Sequence, residues 1–563
     1  MEDRRAKRIP YGMQNWEDVR LENCYYVDKT RFIPELEAAN KFFFFIRPRR
    51  FGKSLLISML RAYYDVNKAD SFQQLFGSLW IGQHPTDDRG KYHVLYLNFA
   101  AFSGDLEGYK ERMDDYCNIQ FISFLRSYGF DEKAEQELNQ RNGAANQLAY
   151  LADACMKTGQ PIYLFIDEYD HFTNAIFSDA ATERGYKAET HGTGAFRAFF
   201  DAIKTAATSS IKRLFVIGVS PVTMDDLTSG FNIGTNYTTQ PEFNAMVGFS
   251  EQEVREMLDY YRQYYTFHHT TDELIEAMRP WYDNYCFSVK CLNEPSMFNS
   301  DMVLYFVDNY IRSKGSFPDK MLDSNIRTDY SRLQMLIRRS APWGRLLPEG
   351  RKKDRGFEHD ASIIQHIVET GGITAELKDS FPAEQITNPD NFVSLLYYFG
   401  MLTIAGQRRG KIEFRIPNQT VREQVYTYLT NTYRDNNLEI DDYRLGHLIA
   451  DMAVDGTWRP VFEFIAEALR RFSSHRDKQK GEAYVHGFTL AQTCMSRLYL
   501  PVSELDAGPD GGYADIDRAR RNAETQLLRY ADSEVVRRTH QPTRLHRLVL
   551  LWHGMELAVA EEI

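Results

Sequence analysis

Cysteine is scarce in this chain of 563 residues, since only six are present. Six cysteines are too few to staple a chain of this length with disulfides, and their scarcity predicts a reducing compartment. Long apolar runs are also lacking: none approaches the roughly 18 residues that a membrane-spanning helix needs. The first residues contain no apolar stretch of the kind found in signal peptides. The sequence therefore predicts a cytoplasmic protein with no membrane partner.

The chain also has no strong excess of positive charge, because 67 Lys and Arg residues face 78 Asp and Glu residues, a net charge of −11. This balance argues against a surface that coats nucleic acid as a whole, but it is compatible with a local basic groove. Apolar residues make up 43% of the chain, which is enough to build a core and excludes disorder as the main state. The length predicts about three to five domains.

A strand, loop and helix pattern stands out in the first third of the chain. The apolar run Phe42–Ile46 is typical of a buried strand, and apolar residues recur at helical spacing after Ser54. Between them a loop ends in Gly-Lys-Ser, the context in which a P-loop binds phosphate through its own amides and those of the helix N-terminus. Lys53 is expected to reach the β- and γ-phosphates of ATP, and Ser54 to ligate Mg²⁺.

The generic P-loop has a glycine where this chain has Arg47. The alternative is therefore a basic turn that caps an ordinary buried helix. Under the P-loop interpretation, the residues expected to contact ATP are Arg47, Pro48, Arg49, Arg50, Phe51, Gly52, Lys53, Ser54 and Leu55.

Two further strands end in residues suited to ATP hydrolysis. Residues 161–166 form an apolar run that is followed by Asp167 and Glu168. Asp167 is expected to hold Mg²⁺ together with Ser54, and Glu168 to activate the attacking water. The next apolar run ends at Ser220, which either senses the γ-phosphate or the water, or caps a turn. Lys53, Glu168 and Ser220 are thus the candidate catalytic residues.

Strands alternate with helices along this part of the chain. Helical periodicity covers residues 105–128, 144–157 and 194–207, and residues 94–98 supply a further strand. This alternation predicts an α/β fold: a parallel sheet with helices on both faces and phosphate bound at the carboxyl ends of the strands.

At these residues the chain resembles the bacterial AAA-ATPase-like proteins that usually carry a C-terminal PD-(D/E)xK nuclease-superfamily domain. The resemblance implies an ATP-binding P-loop module with AAA-like topology, a P-loop that lacks its first glycine throughout the family, and a role in mobile elements or defence. It rests on residues 26–30, 47–54, 166–170, 218–221, 229–232 and 248–250.

Four parts are expected along the chain. They are a P-loop domain (1–250), a helical region (251–380), a winged-helix-like module (381–435) and a truncated α/β nuclease-like domain (436–563). The winged-helix assignment depends on a helix at 391–399, a hairpin formed by 401–405 and 412–416, and a helix that continues to residue 431. A lid over the nucleotide is favoured over DNA binding for this module. Arg408, Arg409, Lys411 and Arg415 are candidates for wing contacts or for sensing the γ-phosphate.

The last part resembles the nuclease domain but departs from its pattern. Asp515 matches the acidic strand residue, yet the Glu-x-Lys strand that should follow is missing, and no lysine occurs after Lys480. Arginine does not readily replace that lysine, so the domain is expected to lack nuclease activity, although Glu482, Glu504 and Asp515 could still bind a metal. The eight arginines from Arg518 to Arg547 belong either to a solvated helix face or to a surface that holds nucleic acid.

The leading hypothesis is a Mg²⁺-dependent P-loop ATPase with an inactive nuclease-like binding module. ATP is the expected partner, and nucleic acid and a second copy of the chain are further candidates. Two alternatives remain open at this point. One is a nucleotide-gated switch that binds ATP without turning it over, and the other is an active DNA nuclease.

Overall fold

A computed structural model describes most of the chain. The described residues are 6–102, 108–171, 194–222, 233–323, 363–426 with short gaps, 440–472, scattered positions between 485 and 528, and 546–563 without 554–555. Contacts divide the chain into two compact units, one made of residues 1–360 and 374–419, the other of residues 361–373 and 420–563. No helix in the described ranges combines the length and the apolar character needed to cross a bilayer.

The first unit is built on a five-stranded sheet. The strands are β1 Phe42–Ile46, β2 His93–Asn98, β3 Ile162–Asp167, β4 Ile211–Gly218 and β5 Thr235–Asn236. Their order in the sheet is β2-β3-β4-β1-β5, and every neighbouring pair is parallel. The four predicted strands are confirmed to within two residues at their ends, while β5 was not predicted.

Helices cover this sheet. Helix Lys53–Tyr64 follows β1 and packs against β2 and β3, and the three predicted connecting helices are observed at Tyr109–Ser127, Ala144–Thr158 and Ala195–Ala206. All six residues of β3 are buried, as expected for a strand covered on both faces. The predicted α/β class is therefore confirmed. Shorter helices lie at Trp16–Leu21, Ile33–Ala38, Phe72–Phe76, Trp80–Gln83 and Glu132–Asn139.

Aromatic side chains dominate the core between the sheet and helix Lys53–Tyr64. The rings of Phe43 and Phe215 stack on neighbouring strands with centroids 5.2 Å apart, and Tyr64 meets Tyr163 at 4.9 Å. Aromatic pairs at such distances add about 0.5–1.5 kcal/mol each to the stability from burial. The aromatic residues thus fix the helix that follows the P-loop against the sheet.

The first unit continues with three helices in the region predicted to be helical, Glu251–Arg262, Thr271–Tyr282 and Ser300–Arg312. The first two begin with capping boxes, at Ser250 and Thr270, which satisfy the free amides of the first turn. Two-residue strands at Phe249–Ser250 and Met297–Phe298 pair antiparallel.

The predicted helix and hairpin of the next region are both confirmed. The helix spans Pro389–Tyr398, and the strands Thr403–Arg408 and Lys411–Arg415 pair antiparallel. Arg409 and Gly410 at the turn both have positive φ, +51° and +82°, as in the tight turns that match the strand twist. A short strand, Gly372–Ala375, precedes them. Residues 419–426 are helical, and the rest of that predicted helix lies outside the described residues, so the winged-helix assignment stays a prediction.

The second unit contains helices Asp442–Asp455 and Arg459–Phe472 and an antiparallel pair, Leu548–His553 with Glu556–Glu562. Helix Arg459–Phe472 packs on the last strand, where Trp458 Nε1 donates to Glu562 Oε2 at 2.9 Å. Glu482, Glu504 and Asp515 lie outside the described residues. The nuclease-like assignment and the four-part division of the chain therefore stay predictions.

Candidate functional site

The loop after β1 has the local geometry that a P-loop requires. Gly52 has φ +89°, a left-handed conformation that glycine adopts without strain. The helix begins at Lys53, and its first turn is closed by Leu56 N donating to Gly52 O at 3.0 Å. Lys53 is buried, and its Nζ donates to Pro48 O at 2.9 Å. The ammonium group is thus held inside the curve of its own loop.

Two carboxylates lie at the end of β3, the strand two places from β1 in the sheet: Asp167 is its last residue and Glu168 follows it. Asp167 is only 2% exposed. Its Oδ1 accepts from Glu168 N at 2.9 Å, and its Oδ2 accepts from the Tyr96 hydroxyl at 3.3 Å. Burial, reinforced by the charge of Glu168 and opposed by Lys53, raises the pKa of Asp167 to about 6. A cation bound here would favour the ionised carboxylate.

Glu168 sits at the turn in a conformation that is rare for its residue type. Its φ is +52°, in the left-handed region where a non-glycine residue carries a cost of order 1 kcal/mol or more. The side chain is half-buried and lines the same cleft as Asp167. Strained residues of this kind concentrate at functional sites.

A cleft of about 450 Å³ brings the two halves of the predicted site together. Ser54 faces it from the helix after the P-loop, and Asp167 and Glu168 face it from β3. The remaining lining residues are Gln14, Asn15, Arg49, Ile57, Ser58, Arg61, Tyr96, Asn98, Ala100 and His171.

Lys53 experiences the negative charge of this site. Burial lowers the pKa of Lys53, while Glu168, Asp167 and Asp170 act in the opposite direction. Within the described part of the chain, no cluster of three or more His, Cys, Asp or Glu side chains could hold a metal ion. Mg²⁺ is commonly bound in proteins by one or two carboxylates together with substrate phosphates and water. Ser54 and Asp167 both line the cleft, and their oxygens are of the type that such a set would use.

Ser220 lies just beyond β4, between the P-loop strand and the carboxylate strand. Its side chain is fully buried, and its Oγ accepts from Val222 N at 3.2 Å, the bond expected of a turn cap. Its backbone N donates to the Asp170 carboxylate at 2.8 Å, as does Val219 N at 3.2 Å. Asp170 therefore ties the end of β4 to the end of β3, and the cap alternative for Ser220 is favoured.

Arg47 does not line the cleft. Its guanidinium is fully buried between the rings of Phe45 and Phe287, 4.2 and 4.3 Å from their centroids. It donates to the backbone carbonyls of Ile46, Thr238 and Phe243 at 2.6–3.0 Å. Burial lowers the pKa of Arg47 to about 10. Arg47, the residue in place of the first P-loop glycine, thus anchors the start of the loop to the surrounding backbone carbonyls and aromatic rings.

The other loop residues also support its shape. The Pro48 carbonyl accepts a hydrogen bond from Lys53 Nζ, and the Arg50 guanidinium pairs with Asp301 at 2.8 Å. Phe51 is buried and meets Tyr285 edge-on with centroids 4.9 Å apart. Of the residues expected to contact ATP, Arg49 and Ser54 line the cleft, Gly52 is exposed and Leu55 is half-buried.

No sequence motif predicted a role for three residues that belong to the site: Asp170, Tyr96 and Arg61. Asp170 is three residues after Asp167, so its side chain can still reach the ends of β3 and β4. Tyr96 lies two residues before the end of β2, so it shares a face with Asn98 at the cleft. Arg61 follows Ser54 and Ser58 at helical spacing on one side of the helix. The position of each residue within its strand, turn or helix was the one sequence feature that could have indicated its place in the site.

Comparison with known proteins bears on the first part of the chain. Residues 10–228 match the model of a family described as "Predicted AAA-ATPase". An "Uncharacterized protein in vnfD 5'region" of Azotobacter chroococcum mcd 1 is 25% identical over 254 residues, which make up 44% of this chain and 44% of that protein. The chain therefore spans less than half the length of the curated relative that it matches.

Two solved structures can be superposed on the chain at low similarity. The ORC2 protein of Aeropyrum pernix, in ADPNP-ADP complexes, has a TM-score of 0.29 and 10% identity, covering 77% of this chain and 98% of its own. Cdc6p from Pyrobaculum aerophilum has a TM-score of 0.25 and 9% identity, covering 77% and 97%. The AAA-ATPase-like domain predicted from the sequence is thus supported by the family match over residues 10–228, and the nuclease resemblance stays a prediction.

Proposed function

We propose that this protein binds ATP with Mg²⁺ and hydrolyses it at the cleft between the P-loop and the end of β3. The observation that carries the proposal is the convergence on one cleft of Ser54, at the start of the helix after the P-loop, with Asp167 and Glu168. The family match to predicted AAA-ATPases covers all of these residues. A P-loop NTPase requires this pairing of a phosphate-binding helix start with carboxylates on a neighbouring part of the sheet.

Each residue has a role that its position supports. Lys53 exchanges the Pro48 carbonyl for phosphate oxygens and neutralises their charge. Ser54 and Asp167, which line the same cleft, would hold Mg²⁺, and the ion would supply positive charge to the phosphates. Glu168 orients and deprotonates the attacking water, whose oxygen bonds to the γ-phosphorus as the bond to the β-phosphate oxygen breaks. Ser220 and Asp170 keep the end of β4 in place between these groups.

The test is ATP turnover and ATP binding by the full chain and two variants. Lys53→Ala is expected to lose both, because the phosphates lose their main cation. Glu168→Gln is expected to retain ATP binding and to lower turnover by about 10²- to 10⁴-fold, the usual worth of a general base. Lys212→Ala is the matched control, since Lys212 is exposed near the start of β4, at the opposite end of that strand from the site.

Binding without turnover in the unmodified protein would contradict hydrolysis and favour the nucleotide-gated switch. Equal binding by Lys53→Ala and the unmodified chain would remove the P-loop assignment itself. The thermal transition of each variant, followed by circular dichroism, shows whether a loss reflects the site or the fold.

We further propose that the module formed by helix Pro389–Tyr398 and its hairpin acts as a structural lid for the P-loop. Thr403 Oγ1 accepts from Cys286 N at 2.8 Å, and the Tyr397 hydroxyl donates to Phe287 O at 3.0 Å. Phe287 in turn stacks on Arg47 at the base of the loop. These contacts favour the lid over the DNA-binding alternative for this module.

For the C-terminal part we propose nucleic-acid binding without cleavage, in a mobile-element or defence setting. The support is sequence alone: the missing Glu-x-Lys strand and the arginines from Arg518 to Arg547. Plasmid cleavage that Asp515→Ala abolishes would overturn this proposal, and retention of a labelled duplex without cleavage supports it.

A further inference from the structure

We propose that Tyr96 and Arg61 form a positioning pair that orients the Asp167 carboxylate for Mg²⁺. The inference rests on the proposed function and adds two residues to it. Neither residue belongs to the strand-end or P-loop motifs. They reach the cleft from β2 and from the third turn of helix Lys53–Tyr64.

Tyr96 is placed to control one oxygen of Asp167. In the parallel pairing of β2 with β3, Tyr96 lies opposite Phe165 and Asn98 lies opposite Asp167. The Tyr96 ring therefore lies beside β3 two residues before Asp167, and its hydroxyl donates to Asp167 Oδ2 at 3.3 Å. On the other side of the carboxylate, Glu168 N donates to Oδ1 at 2.9 Å. With one donor on each oxygen, the plane of the carboxylate is fixed, and each oxygen keeps lone pairs for a cation.

Arg61 fixes the ring that carries this hydroxyl. Its guanidinium carbon lies 3.9 Å from the centroid of the Tyr96 ring, within the range of a cation–π contact. In the described structure, Nε of Arg61 is buried and has no hydrogen-bond partner. The stacking contact is thus the interaction that places the guanidinium against the Tyr96 ring.

The arrangement is a second layer behind a metal ligand. Groups that hold a ligand without touching the metal typically change metal affinity by 10- to 100-fold when they are removed. The hydroxyl bond of 3.3 Å is longer than an ordinary O–H···O bond, so an effect near the lower end of this range is expected. Loss of the pair should therefore raise the Mg²⁺ concentration required for turnover, while the affinity for ATP without Mg²⁺ should change much less.

The experiment measures ATP binding by calorimetry across a Mg²⁺ series and in EDTA, with ATP turnover measured across the same series. Tyr96→Phe keeps the ring for Arg61 and removes only the hydroxyl. It is expected to raise the Mg²⁺ concentration for half-maximal turnover about 10-fold and to leave ATP affinity in EDTA unchanged. Arg61→Met, which keeps the aliphatic stem, is expected to shift Mg²⁺ dependence in the same direction. The double variant should shift it no further than the larger single shift, because both act through one carboxylate.

Tyr92→Phe is the matched control. It also removes a hydroxyl that donates to a carboxylate, Asp88 at 3.1 Å, but Tyr92 precedes β2 and does not line the cleft. An unchanged Mg²⁺ dependence in Tyr96→Phe would overturn the inference and leave the proposed function standing. An equal loss of ATP affinity with and without Mg²⁺ would also overturn it, because that pattern indicates a general structural role. If the unmodified chain bound no ATP at all, the proposed function would fail and the inference with it.

Discussion

At the scale of single residues, Gly218 shows how closely the ends of β3 and β4 are packed. A Cβ atom added there would lie 2.4 Å from Asp170 Oδ1 and 2.5 Å from the ring of Tyr169. Tyr169 is fully buried, and its hydroxyl donates to Ser220 O. Neither neighbour has room to withdraw.

Gly218→Ala is therefore expected to lower the free energy of unfolding by about 3 kcal/mol or more, at the upper end of what overpacking costs. Gly129→Ala is the control, because Gly129 has φ +74° and nothing within 4 Å of the added Cβ. It should cost only the backbone strain, about 1–2 kcal/mol. Chemical denaturation of both variants measures the difference, and equal losses would contradict the steric account.

Arg47 shows which part of the site the sequence could not reveal. Lys53, Ser54, Asp167 and Glu168 were predicted because their roles depend on neighbours in the chain and on strand ends. Three partners of Arg47, namely Thr238, Phe243 and Phe287, lie roughly 190 to 240 residues further along the chain. No local sequence pattern predicts contacts at such separations. An arginine that is buried to support the loop therefore cannot be told from one that binds phosphate by the sequence alone.

At the scale of elements, the fold was predictable where hydrophobic periodicity was strong. Four strands and three connecting helices of the first unit were expected, as were the later helix and hairpin, because continuous apolar runs and helical spacing leave few alternatives. β5 has only two residues, Thr235 and Asn236, too short a run to carry a period. Its pairing with β1 depends on the rest of the sheet already being in place.

The hairpin module gives a prediction at the same scale. Gly400 has φ +78°, and a Cβ there would lie 2.7 Å from Cβ of Pro48 in the P-loop. Gly400→Ala is expected to push the module away from the loop and to weaken ATP binding about 10-fold or more, since Pro48 also supplies the carbonyl that holds Lys53. ATP titration of the variant measures the change.

Gly410→Ala is the matched control for that prediction. Gly410 has a similar φ of +82° at the hairpin tip, with nothing within 4 Å of the added Cβ. It carries the same backbone strain without the contact, so its ATP affinity should remain that of the unmodified chain. Equal weakening in the two variants would show that strain in the module matters, and that contact with Pro48 does not.

At the scale of the whole molecule, the division into two compact units predicts more than one unfolding step. ATP with Mg²⁺ at 100 times its Kd should stabilise the step of the first unit by about 2.7 kcal/mol. The step of the second unit should stay at its original temperature. Differential scanning calorimetry with Lys53→Ala as the control tests this, and a shift of both steps by ATP would contradict separate units.

The strand order also sets the distance between the strand that leads into the P-loop and the strand that ends in the two carboxylates. β4 lies between β1 and β3, so the strands that carry the P-loop and the two carboxylates run two strand spacings apart, roughly 9.5 Å. Side chains from both strand ends line the same cleft, so a bound ligand has to span only the part of this separation that the side chains leave open. A triphosphate is longer than a single phosphate ion and carries more charge. ATP is therefore expected to contact residues at both strand ends, whereas inorganic phosphate is expected to contact fewer of them and to bind more weakly.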